Sequence, residues 1–209
     1  MKDSKGTAVQ GRTRWRRFAA VVVPAAMVAG GLMTGVAYGK VPVALNVSGK
    51  TFKVSADKLV GTGFTQYGSV AVTANGAQVP VAASGIKYAE LHNLCQSVVV
   101  IPGHLSLLIR AGRGGTPATA DNLLIGMDAL AGDATFKEIN IGTDASKLSQ
   151  DGMAEHGKAG EFGQEAKSVT IENLKQRAYS TSAGTFALTG LSMSLDMHGT
   201  ECFADSALD

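Results

Sequence analysis

The stretch VAVTANGAQVPVA, residues 70–82, carries the clearest fold signal in this chain of 209 residues. Apolar residues at positions 70, 72, 79 and 81 alternate with small or polar ones on both sides of Asn75-Gly76. Such alternation around Asn-Gly predicts a β-hairpin closed by a two-residue type I′ turn. Proline cannot donate a ladder hydrogen bond, so we expect Pro80 at a sheet edge or with its missing donor facing outward.

The segments that follow also have the pattern of strands. In SVVVIPGHLSLLIR, residues 97–110, an apolar run and an alternating run flank Pro102-Gly103 and predict two strands. Many short apolar segments and 26 glycines favour a mainly β domain over a helical bundle. The fold class predicted is therefore mainly β, as an extended or curved antiparallel sheet or a β-sandwich.

The stretch GTFALTGLSMSLDM, residues 184–197, changes the parity of its apolar positions midway. A β-bulge at Thr189-Gly190 would absorb the extra residue and return the later apolar residues to the earlier face. Six side chains would then share one face: Phe186, Leu188, Leu191, Met193, Leu195 and Met197. Such a face most often packs against a second sheet, and the alternative is that these six residues line a site for an apolar ligand.

The N-terminal segment has the composition of an export signal. Residues 1–39 hold six Lys and Arg, all of them before an uncharged apolar run at 18–37. This arrangement predicts a cleaved signal peptide, with an uncleaved membrane-anchor helix as the alternative. Residues 40–209 form the predicted single mainly β domain and carry 13 Lys and Arg against 16 Asp and Glu. This acidic balance does not favour a nucleic-acid partner.

The two cysteines, Cys95 and Cys202, are an even number in a chain predicted to leave the cytosol, which favours a disulfide. A bridge closing a loop of about 100 residues stabilises by about 4 to 5 kcal/mol in the chain-entropy model. A structural zinc site of His92, Cys95, His198 and Cys202 is the alternative, but oxidation competes with thiolate ligation outside the cell. No metal or cofactor is therefore predicted.

Motifs of catalysis are absent from the sequence. It contains no Gly-x-Ser-x-Gly elbow, and none of its four His lies in a known catalytic motif, so no catalytic residue is assigned. Residues 110–120 are rich in glycine but lack the Lys-Ser/Thr ending of a phosphate loop. Residues 149–166, in which glycines alternate with charged residues, are predicted to form a mobile surface loop.

Four segments resemble a family of exported actinobacterial proteins of unknown function: ADKLVGTGFTQYG, SGIKYAELHNLCQSV, ATFKEINIGTDAS and ENLKQRAYSTSAGTFALTGLSMSL. The resemblance extends over almost the whole chain, and some members of that family are labelled cholesterol esterase. It implies a secreted or cell-envelope setting and places Cys95 and Cys202 at the two cysteine positions of the family. It provides no catalytic residue.

The function predicted is that of an exported, non-enzymatic β domain in the cell envelope or outside the cell, which binds a lipid or another hydrophobic molecule. The membrane is a further partner if the N-terminal segment stays uncleaved. One alternative is a lipid or sterol ester hydrolase. The other is a structural envelope or spore-surface protein that assembles along its strand edges. The sequence does not predict an oligomeric state.

Overall fold

The computed structural model describes residues 45–154 and 156–208. The predicted signal peptide or anchor helix at 1–39 lies outside them. The described residues form nine strands and two short 3-10 helices, at Ala145–Lys147 and Asp205–Ala207. The strands are β1 (Leu45–Val47), β2 (Phe52–Thr73), β3 (Gln78–His92), β4 (Leu94–Ile101), β5 (Leu105–Ala111), β6 (Ala118–Asp144), β7 (Phe162–Ser182), β8 (Thr185–Ala187) and β9 (Ser192–Asp196). The prediction of a mainly β domain is confirmed.

The four long strands close on themselves. β2 pairs with β3 and β7, and β6 pairs with the same two strands, all antiparallel. Each strand therefore has a hydrogen-bonded neighbour on both sides, and the result is a closed four-strand barrel. The predicted open sheet or sandwich is wrong in this respect, because alternation shows which face of a strand is apolar but not which strands pair.

The long strands curl strongly, and residues in the left-handed region mark their bends. Gly63 in β2 has φ of 66°, Asn122 in β6 has 51° and Asn173 in β7 has 54°. Left-handed residues within strands are typical of bulges that bend a strand and increase its twist. The curl brings the ends of β2 together, since Val47, just before β2, pairs in parallel with Thr73 at its end.

The barrel interior holds the main hydrophobic core. It is built from small and branched side chains of all four long strands, and Leu123, Leu174 and Val169 are its largest fully buried apolar members. Gly61 lies at a tightly packed point of the core. A Cβ atom there would lie 2.9 Å from a methyl of Ile86 and 3.0 Å from one of Val169, so this position needs a residue without a side chain.

Three strands extend the barrel on one side. β4 pairs with Lys53–Ser55 of β2, β5 pairs with β4, and β9 pairs with β5. The C-terminal segment folds back over one face of this extension. The Ser106 hydroxyl donates to the Thr200 carbonyl at 2.5 Å, and the Cys202 amide donates to the Ser97 hydroxyl at 3.1 Å.

The hairpin predicted from residues 70–82 is confirmed as β2 and β3, but its turn differs. Gly76 has φ of 82°, whereas Asn75 is not in the left-handed region that a type I′ turn requires of both residues. The Gly76 amide donates to the Thr73 carbonyl at 2.8 Å, and the Thr73 amide donates to the Ala77 carbonyl at 2.9 Å. These bonds close a three-residue loop with a glycine bulge. β3 begins to pair with β6 at Ala82, two residues after Pro80. Within the described part of the chain, no strand therefore lies on that side of Pro80 to accept the backbone N–H hydrogen bond that a proline lacks.

Candidate functional site

An open groove of about 400 Å³ lies where β2 begins and β7 ends. It is lined by the segment before β2, the first residue of β2, one residue of β4, the end of β7 and β8. The lining residues are Val47, Ser48, Phe52, Gln96, Tyr179, Ser180, Thr181 and Phe186. None of these eight residues is charged. The groove therefore fits a neutral molecule better than a carboxylate or a phosphate.

Pairing within the sheet explains why residues so distant in sequence meet at the groove. Phe52 pairs with Ala178 of β7, which places the following residues of β7 beside the start of β2. Gln96 pairs with Val54, two residues further along β2. β8 pairs with the first residues of β6 and brings Phe186 opposite Ala120 of the core.

Two polar atoms beside the groove lack partners. The hydroxyl oxygens of Ser180 and Thr181 are buried, and neither has a hydrogen-bond partner among the described residues. A buried hydroxyl without a partner costs about 1 to 3 kcal/mol. Native structures leave few such groups. Both oxygens are shielded from solvent, so a molecule in the groove reaches them only after the side chain changes rotamer.

An apolar sheet surface continues from the groove across the three-strand extension. Gln96 in the groove pairs with Ile109 of β5, which pairs with Met193 of β9, so these three side chains share one face. The next row on this face consists of apolar residues only. We call the five apolar residues of the two rows the outer apolar face: Val98, Leu107, Ile109, Met193 and Leu195.

The outer apolar face is open at its β9 side. Met193 is 61% exposed and Leu195 is 63% exposed, while the other three residues are half-buried. Exposed apolar surface of this kind marks sites for a ligand, a partner or a membrane more often than an ordinary protein surface. The groove and this face together offer an apolar surface with a few uncharged polar groups at one end.

A family model described as a family of unknown function, DUF6230, matches residues 48–203. The chain belongs to this family. The match includes every groove residue except Val47. No curated protein and no solved structure matches the chain significantly.

In this DUF6230 member the six residues predicted to form one apolar face lie in or beside two separate strands. Phe186 in β8 and the nearby Leu188 pack against the barrel core, and Phe186 also lines the groove. The other four are exposed, two of them in β9 and two flanking it: Leu191, Met193, Leu195 and Met197. Whether a ligand contacts these side chains remains a prediction.

The predicted bulge at Thr189-Gly190 is wrong, because these residues form a turn. The Leu191 amide donates to the Leu188 carbonyl at 3.1 Å, and Gly190 has φ of 67°. Before this turn, β8 pairs with β6. After it, β9 pairs with β5. A bulge and a turn both shift the parity of alternation by one, so the sequence pattern alone could not distinguish them.

The structure joins Cys95 and Cys202 in a disulfide, with a Cα–Cα distance of 5.9 Å. Both sulfur atoms are therefore occupied, and the alternative zinc set with His92 and His198 loses its two thiolates. No group of three or more potential metal ligands is found among the described residues. Cys95 directly precedes Gln96, so the disulfide fixes the C-terminal segment behind the strand that contributes to the groove.

A second contact also holds the C-terminal segment in place. The buried Lys53 ammonium lies 2.8 Å from the Glu201 carboxylate and 3.0 Å from that of Asp205. It also donates to the Phe203 carbonyl at 3.1 Å. Burial opposes the charged form of Lys53, but hydrogen bonds and charge interactions with Glu201 and Asp205 outweigh it and raise its pKa.

The segment predicted as a mobile surface loop contains buried polar groups that the sequence did not reveal. Asp151 is fully buried, and its carboxylate accepts from the Thr65 hydroxyl at 2.5 Å. It also accepts from the Met153 amide at 3.0 Å and lies 2.8 Å from the His156 ring. Gly85 packs directly against this carboxylate and leaves no room for a Cβ atom. The surface-loop prediction is therefore wrong for these residues.

This cluster of Thr, Asp and His does not have the arrangement of a hydrolase triad. In a triad the nucleophilic hydroxyl is hydrogen-bonded to the His and is open to substrate. Here the Thr65 hydroxyl bonds to Asp151 instead, and Thr65 is fully buried. No Ser or Thr hydroxyl within residues 45–154 and 156–208 is hydrogen-bonded to a His ring. The cluster ties the segment before β7 to the barrel.

Helical segments in the described part of the chain are too short to span a membrane.

Proposed function

We propose that this protein is exported and binds a neutral amphiphilic molecule, such as a sterol or an acylglycerol, in the groove where β2 begins and β7 ends. The observation that carries the proposal is the groove lining, which combines aromatic side chains with uncharged polar groups. Two hydroxyls there have no partner in the protein. A ligand hydroxyl would supply one after the side chain turns toward the groove.

The aromatic residues account for the apolar part of the ligand. Phe52, Tyr179 and Phe186 line the groove, and large aromatic side chains contribute most of the buried area in many binding sites. The outer apolar face begins beside Gln96, so an acyl chain or ring system that extends beyond the groove would contact it. A fatty acid anion would find no cation in the groove lining.

Export is supported by the basic and apolar N-terminal segment of the sequence. The disulfide between Cys95 and Cys202 is compatible with an oxidising compartment. A resemblance to exported actinobacterial proteins supports the same setting. The cholesterol esterase label of some relatives fits a sterol ligand, while the hydrolase alternative gains no support from any Ser or Thr paired with a His.

The proposal is tested by measuring what the protein carries. We would express the full chain in a secreting actinobacterial host, purify the exported form and measure its mass by native mass spectrometry. The extracted ligands would be identified by liquid chromatography and mass spectrometry. We expect a neutral lipid in near-equal molar amount, and added sterol or diacylglycerol should refill stripped protein.

Two phenylalanine variants provide the matched comparison. Phe186→Ala removes an aromatic wall of the groove and should lower lipid occupancy several-fold. Phe162→Ala changes a 60% exposed residue at the other end of β7 and should leave occupancy unchanged. A wild-type protein that carries no lipid and takes up none, or equal occupancy in both variants, would show that the groove is not a lipid site.

A further inference from the structure

Strand β9 is a sheet edge with little protection. Within the described residues it pairs with β5 only, and it ends the strand order of the sheet. Its sequence SMSLD contains no Pro, Lys or Arg, and its first four residues are exposed. Natural edge strands usually carry such residues, or a bulge, because bare edges pair with other chains. β9 has no Pro, no basic residue and no bulge, and its only protections are its length of five residues and Asp196 at its end.

We propose that β9 pairs antiparallel with β9 of a second copy of this chain, around a two-fold axis at Ser194. The strand is self-complementary in that register. Ser194 faces the partner's Ser194, and Met193 lies opposite the partner's Leu195. Small polar residues thus meet on one face and large apolar residues on the other, as an isologous contact requires.

The charge on β9 selects the antiparallel direction. Its one charged residue, Asp196, accepts hydrogen bonds from the His198 amide at 2.9 Å and the Thr200 amide at 3.0 Å. Bonds from Thr200 and from the His198 backbone lower its pKa, so the carboxylate stays charged. Parallel pairing would place two such carboxylates side by side. The antiparallel register separates them by four residue positions, roughly 14 Å, which exceeds the Debye length at physiological salt.

Pairing would join two three-strand extensions into one six-strand sheet. The outer apolar face would then run across both copies, because Met193 and Leu195 meet their counterparts at the junction. Five residues a side are far fewer than the roughly 20 to 30 of a standard interface, so we expect a reversible dimer with a Kd in the micromolar range or weaker. This proposal does not depend on a ligand in the groove.

Two cysteine variants of the full-length exported protein test the register. In Ser194→Cys the two new thiols would face each other at a Cα distance of about 4.5 to 5.5 Å, within the range for a disulfide. In Ser192→Cys, on the same face of the same strand, they would lie roughly 14 Å apart. Both replacements are small and exposed. Each variant would be oxidised with copper phenanthroline at about 100 μM protein and analysed on a non-reducing gel.

We expect S194C to form covalent dimer at least 10-fold faster than S192C, with peptide mapping locating the link at residue 194 in both chains. Mapping is needed because exchange with the disulfide of Cys95 and Cys202 would give other linked peptides. Light scattering of the wild-type protein should show an average mass that rises with concentration. Equal crosslinking rates in the two variants would overturn the proposal, whatever the wild-type mass.

Discussion

Replacement of Thr181 by Val removes one hydroxyl beside the groove without changing the shape of the side chain. That hydroxyl is buried and has no protein partner, so the ligand-free protein bears a cost of about 1 to 3 kcal/mol for it. A buried methyl in its place adds roughly 0.8 kcal/mol of favourable transfer free energy. Allowing for incomplete burial of residue 181, we expect the free energy of unfolding to rise by about 1 to 2 kcal/mol.

The expected change is measurable by calorimetry or thermal unfolding. For a domain of this size, 1 kcal/mol corresponds to a Tm shift of about 2 to 4 °C, so Thr181→Val should raise the Tm of lipid-stripped protein by about 2 to 8 °C. Thr73→Val is the matched control. The Thr73 hydroxyl donates to the Ala77 carbonyl at 3.0 Å, so its removal should lower the Tm slightly.

Thr181→Val should weaken ligand binding although it stabilises the ligand-free protein. If a ligand hydroxyl bonds to Thr181, its loss costs about 0.5 to 1.5 kcal/mol and weakens the Kd roughly 2- to 10-fold. A variant that is more stable without lipid and binds lipid less tightly is difficult to explain by packing alone. A Tm that falls, or that moves in the same direction in both threonine variants, would refute the reasoning.

Two further predictions concern the barrel and its C-terminal segment. Gly85→Ala should destabilise the protein by about 3 kcal/mol or more in denaturant titration, because a Cβ atom would displace the buried Asp151 carboxylate, whereas Gly68→Ala meets no atom within 4 Å and should cost nothing. The raised pKa of Lys53 means that its ion pairs stabilise the fold below pH 10.5 and are lost as pH rises through the folded-state pKa. The Tm of the wild-type protein should therefore fall more steeply above that pH than the Tm of Lys53→Met. The control variant Lys58→Met removes an exposed ion pair and should keep the wild-type slope of Tm against pH. Equal slopes in all three proteins would show that the ion pairs of Lys53 do not cause the pH dependence.

Local features of the fold could be read from the sequence because each depends on a few adjacent residues. Asn75-Gly76 between alternating runs located the first hairpin, and Pro102-Gly103 separated β4 from β5. The cysteine number and the predicted export signal together predicted the disulfide. The closure of the barrel could not be predicted, since it depends on β2 pairing with β7, and alternation carries no information about the partner of a strand.

The groove and the buried carboxylate were missed for a similar reason. Residues that line the groove come from five separate segments, and of these only Phe186 had been predicted, from its place in an apolar strand. Asp151 and Thr65 are 86 positions apart, so nothing local connects them. The one available signal was the length of the segment before β7, because long connections without strands in compact domains are often ordered by specific contacts.

The order of strands in the barrel has a consequence for folding during synthesis. β2 is the first of the four barrel strands to be made, but its second neighbour, β7, is the last of the four. Contacts between segments so distant in sequence form slowly. Until β7 is complete, the barrel stays open and its interior is accessible to chaperones. If the chain crosses a membrane from its N-terminus, as proposed above, this delay keeps the three earlier barrel strands able to pass through in an unfolded form until β7 follows them.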